Sequence, residues 1–196
     1  MPGPSSLIRA GFDEAGLGPT LGPLVVAGFV TVAGPSDDWG PCDDLRGPLT
    51  QLIGEPGCND GRIEVGDSKK IHLGARKLAR IERTALATVA WVFGKVPRDV
   101  GELMDLVAPP SFELDGDRRA PWWSTLDERL PIACERDEVE QLGQRLHQCA
   151  RKAKVRPLWY RADVISAARI NRELDVEERR EGTKNTWATH TVLRLA

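Results

Sequence analysis

Two carboxylates stand side by side in GFDEAGLGPTLGPLVVAG, residues 11–28: Asp13 and Glu14 follow a short apolar run and precede a loop rich in glycine and proline. Hard cations such as Mg²⁺ take one or two carboxylates together with waters and phosphate oxygens, so a pair of this kind suits a metal that meets a phosphate. Successive strand residues point to opposite faces. The expectation is therefore that the chain leaves the strand at Glu14. There Ala15, Gly16 and Gly18 would let both carboxylates, or one carboxylate and a backbone carbonyl, converge. The same glycines would bring backbone N–H groups close to a ligand. Spacing alone favours a surface turn with two solvated acids over a cation site.

A second charged cluster, GDSKKIHLGARKLARI at residues 66–81, places Lys69 and Lys70 ahead of a helix expected over residues 73–86. Leu78, Ile81 and Ala85 fall on its inward stripe, and Arg76, Arg80 and Arg83 on another face, read as solvated. Cys42, Cys58, Cys134 and Cys149 form no C-x-x-C pair, and His72, His147 and His190 do not bracket them at zinc-site distances. They read as buried or idle thiols.

The elements that must carry these groups follow from periodicity. Residues 7–12 read as a strand with Ile8, Ala10 and Phe12 on one face and Leu7, Arg9, Gly11 and Asp13 on the other, Asp13 ending it. Residues 24–32 read as a central strand covered on both sides. A glycine- and proline-rich stretch follows, with a short helix expected near residues 45–53 and a short strand at 62–65. Another strand is expected at 88–96. Residues 101–131, with Trp122 and Trp123, lack clear periodicity and suggest an inserted lobe. A helix over 137–153 carries the stripe Val139, Leu142, Leu146 and Cys149 or Ala150, with Asp137 and Glu140 as its cap. Then come a strand at 157–162 and helices at 166–174 and 184–196, joined by DVEERREG. The last helix is still periodic at its end, with Ala188, Val192 and Leu195 or Ala196 on one stripe and no stop signal, so the domain is expected to be incomplete.

The 196 residues are 41% hydrophobic and 29% charged with a net charge of −2, which suits one folded domain without a global positive field. Any nucleic-acid contact must be local. The longest apolar run, residues 23–33, is about half a bilayer span, and the N-terminus lacks a secretory signal, so a cytoplasmic monomer without membrane attachment is expected.

The segment at residues 11–28 resembles the first signature of ribonuclease HII, the type 2 ribonuclease H family, whose pattern runs D-E-A-G-R-G-P-x-x-G-P-V-V-x-A. The segment at 66–81 is similar to its second signature, D-S-K-K-L followed by a basic helix, in the family order. ISAARINREL with KNTWATHTVL is a weaker match to the family's helix pair, with Ala188 and Thr189 at the shared Ala-Thr and DVEERREGT inserted between the halves. The resemblance implies an α/β fold, a ribonuclease H-like mixed sheet flanked by helices, with Asp13 on the central first strand. This sheet would be incomplete at the C-terminus, and residues 98–155 would form an insertion within a single domain spanning 1–196. It also implies an endonuclease that uses Mg²⁺ or Mn²⁺ to cut the RNA strand of RNA/DNA hybrids, or at ribonucleotides embedded in duplex DNA, leaving 3′-hydroxyl ends.

By the same resemblance Asp13 and Glu14 are the first two metal-binding acids, and Lys69 and Lys70 contact substrate phosphates. Gly16, Leu17 and Gly18 form the loop that feels the ribose 2′-hydroxyl. Two departures stand out. The family's Gly-Arg-Gly is Gly-Leu-Gly here, and the two further acids lie on a strand and loop beyond the last helix pair. Asp163 and Asp175 are assigned to the surface rather than to those roles, and Tyr160 does not match the family's stacking tyrosine. The chain as written is thus expected to be inactive, with a non-catalytic remnant or nucleic-acid-binding protein as the alternative.

Overall fold

The computed structural model describes residues 6–15, 23–34, 46–72, 77–109, 126–178 and 184–195. Gly16, Leu17, Gly18, Cys42, Arg76, Trp122 and Trp123 lie outside them, as do the side chains of Ala188 and Leu195. The architecture is mixed α/β. Strands β1 (Leu7–Ala15), β2 (Leu24–Ala33) and β5 (Val155–Ile165) form an antiparallel sheet in the order β1-β2-β5. A separate parallel pair joins β3 (Ile53–Gly54) to β4 (Ile63–Glu64). The helices are α1 (Arg46–Leu49), α2 (Ser68–Ile71), α3 (Lys77–Phe93), α4 (Val100–Val107), α5 (Arg136–Lys152), α6 (Ala167–Glu178) and α7 (Lys184–Leu195). No helix among the described residues is long and apolar enough to cross a membrane.

The chain divides into two compact units. One holds α1, β3, β4, α2, α3 and α5; the other holds α6, α7 and nearly all of α4, and the three long strands lend residues to both. In the first unit Leu86, Val96 and Val139 are buried together, with Ala90, Leu130 and Cys134 packed on them. In the second, Leu24 and Val26 of β2 meet Ile165 and Trp187, and Ile170, Leu174 and Val192 cover them.

Several expectations change. Residues 88–96 do not form a strand: α3 runs unbroken through Phe93. The β-branched and aromatic run Thr88–Val89–Ala90–Trp91–Val92 packs as helix because Ala90 meets Gly143 of α5, so tertiary contact overrides the local preference. On α3, Leu78 is 50% exposed, and the buried stripe is Leu86, Ala87, Val89 and Trp91 instead. Arg80 and Arg83 are not solvated, with side chains 18% and 17% exposed. Residues 100–107 form α4 within the stretch that lacks clear periodicity. The stripe of α5 is as expected at Val139, Leu142, Leu146 and Ala150, but Asp137 and Glu140 do not cap it. Glu140 pairs with Arg136 instead, and Glu82 of α3 accepts the N–H groups of Ile132, Ala133 and Cys134 just ahead of the helix.

Candidate functional site

Strand β1 carries the paired acids. It does not end at Asp13 but continues through Glu14 to Ala15, so the two carboxylates belong to successive strand residues and point to opposite faces. Nor is β1 central among the described strands; β2 is, and β1 lies at one end of the order. Asp13 and Glu14 are both exposed, and Asp13 Oδ1 accepts the Glu14 N–H at 2.9 Å.

Phe12, the residue before Asp13, anchors the strand end. Its ring packs against Trp159 with centroids 5.9 Å apart, and the Arg161 guanidinium lies 5.4 Å from the Trp159 ring. Gly28 makes room for this: a Cβ there would come within 2.7 Å of the Phe12 ring and 2.9 Å of Trp159. The strand pattern groups Phe12 with Ile8 and Ala10 on one apolar face, yet Ile8 is 63% and Phe12 37% exposed, and nothing in the pattern marks Gly28 as the floor beneath two rings.

Lys69 and Lys70 sit on α2, a single helical turn, and both are exposed. A turn this short cannot hold itself, because nucleating a helix fixes several residues for one hydrogen bond. Asp67 caps its start: Asp67 Oδ1 accepts the Lys69 N–H at 2.9 Å, and its carbonyl accepts Lys70 N–H at 3.0 Å. Ile71, 6% exposed, anchors its end in the core. From α3, Arg80 Nη2 donates to the Ile71 carbonyl at 2.7 Å. Arg80 also pairs with Glu64 at 3.5 Å; Glu64 is only 2% exposed and accepts the Gly57 N–H at 2.6 Å. The Asp before Ser-Lys-Lys is a readable cap signal, whereas Glu64 and Arg80 were not singled out as supports.

Asp13 and Glu14 belong to one unit, and Lys69 and Lys70 to the other. Carboxylate oxygens are the donors that Mg²⁺ and Mn²⁺ take. Among the described residues, though, no group of three or more His, Cys, Asp or Glu side chains is placed to hold a metal. The donors fit the class of ion without closing a site around it.

Asp163 does not lie on the surface. It is 7% exposed and takes both arms of Arg169, at 3.0 and 2.9 Å. Asp175 is exposed. Cys58, Cys134 and Cys149 are free, and burial, with Glu82 beside it, pushes the Cys134 thiol up to about 12, which keeps it protonated and inert at neutral pH. No family model, curated protein or solved structure matches the chain.

Proposed function

We propose that this protein is a ribonuclease HII-like endonuclease with a ribonuclease H-like fold. Its substrate is an RNA/DNA hybrid, or duplex DNA carrying embedded ribonucleotides, cut to leave 3′-hydroxyl ends. The observation that carries this reading is the second signature's local structure. Its Asp67 caps the turn on which Lys69 and Lys70 are held out to solvent, as a phosphate-binding turn requires. The exposed Asp13–Glu14 pair at the end of β1 supports it.

By the resemblance Asp13 and Glu14 would hold a divalent cation, which requires the chain to turn between them, since along β1 they face opposite ways; once held, the ion would supply a hydroxide and stabilise the leaving oxygen. Lys69 and Lys70 neutralise backbone phosphate. Asp13 and Glu14 supply two of the four acids that the resemblance calls for. With no third His, Cys, Asp or Glu placed beside them among the described residues to complete a metal site, these residues by themselves are expected to cut little. A non-catalytic nucleic-acid-binding protein is the second reading, favoured by the opposite facing of Asp13 and Glu14 on their strand.

The test is a duplex DNA carrying one ribonucleotide, compared with the all-DNA duplex, in Mn²⁺. We expect preferential binding of the ribonucleotide-containing duplex that falls in Lys69→Ala, with little cleavage. No preference between the duplexes would sink the reading, and robust cutting abolished by Asp13→Asn would overturn the account of the missing acids.

A further inference from the structure

Resting on that reading of Lys69 and Lys70, we infer that Arg80 and the buried Glu64 are positioning residues that brace the phosphate-binding turn. A buried carboxylate is costly unless it is paired and hydrogen-bonded. Glu64 satisfies this through two separate elements: Oε2 takes the Gly57 N–H, and Oε1 faces Arg80 Nη1. The other arm of the same guanidinium donates to the carbonyl of Ile71, the last residue of α2. One planar group thus spans from a fixed buried charge to the end of the turn, while Asp67 holds its beginning. Arg83 and Thr84 fix the strand from which Glu64 projects, by donating to the carbonyls of Arg62 at 2.9 Å and Glu64 at 3.3 Å.

The consequence for binding is preorganisation. Two long, exposed lysines already lose rotamer freedom when they meet phosphate, so a backbone held in place beneath them spares the further ordering of the turn. Lysine at position 80 would reach one partner and lack the fixed fork that reaches both.

Two readouts separate the brace from the function it serves. The first is amide hydrogen exchange at Lys70, Ile71 and His72, whose N–H groups bond within the turn. Losing one charge-assisted hydrogen bond in Arg80→Met should speed exchange there about tenfold or more, with the amides of α5 unchanged. Unchanged exchange overturns the brace.

The second is the affinity for a labelled RNA/DNA hybrid as a function of salt. Replacing Lys69 and Lys70 together by Ala should lower the log–log salt slope by about 1.8, two phosphate contacts' worth. Arg80→Met should weaken binding about tenfold in the parent protein, and add nothing where both lysines are already gone. An equal loss in both backgrounds means that Arg80 does not act through the lysines, and overturns the proposal. If the parent chain does not bind the hybrid, the reading of the lysines fails, and the exchange data still decide whether the brace exists. Should Arg80→Met not fold, Glu64→Gln replaces it in both measurements, since Gln keeps the side-chain size and an oxygen for the Gly57 N–H.

Discussion

Glu173 gathers three donors onto one carboxylate. Arg169 Nε lies at 2.9 Å, Trp187 Nε1 at 2.8 Å and Arg194 Nη2 at 2.6 Å. Burial opposes ionisation of this group, yet Arg194, Arg169 and the Trp187 indole outweigh it and hold the carboxyl at about 2. A folded-state value below the unfolded one contributes stability above the unfolded pKa, and loses it as pH falls toward the folded value. The window therefore runs from about pH 4.5 down to about 2, and the linkage is on the order of 3 kcal/mol. Thermal unfolding should show the parent protein losing stability through this window. Glu173→Gln should be less stable at pH 7 and should lose less stability than the parent between pH 4.5 and 2; an equally steep variant would remove Glu173 as a cause.

Helices α3 and α5 show what close approach demands of a sequence. Gly143 sits where a Cβ would come within 2.6 Å of Ala90 Cβ, and neither atom can swing away. Gly143→Ala would gain about 1 kcal/mol of helix propensity but force overpacking worth about 1–3 kcal/mol. Urea denaturation should show a net loss of up to about 2 kcal/mol, against the gain expected at an exposed helical glycine. The same contact explains which elements were legible. The strand β1 and the helix α5 follow from their periods and β2 from an unbroken apolar run, while β5 extends beyond the residues 157–162 that read as strand. The far half of α3 was not legible, since Thr88 and Val89 favour strand locally and only the partner helix decides otherwise. The candidate site divides in the same way. Its charged residues stand out as types in a row, as Asp13, Glu14, Lys69 and Lys70 do. Their supports are spread over distant segments: Gly28 under Phe12, and Glu64 and Arg80 behind α2, are pairings that no spacing announces.

At the scale of the whole molecule, the two units are held by different means. The second rests on side chain meeting side chain, with Trp187 at 2% exposure in its core and the Asp163–Arg169–Glu173 chain beside it. In the first, charged helix side chains grip backbone. Glu82 takes three N–H groups, and Arg136 donates to the carbonyls of Val96, Pro97 and Leu130. Arg80, Arg83 and Thr84 reach the carbonyls of Ile71, Arg62 and Glu64. A carbonyl is the same whichever residue owns it, so these grips are blind to the identity of what they hold. Mutational tolerance should then be lopsided. In a saturation library scored for folded yield, position 82 should accept almost nothing, while the exposed Ile132 and Ala133, which lend it backbone N–H groups, should accept nearly anything but proline. Over evolutionary time such a unit keeps its fingers and lets the grasped loops wander.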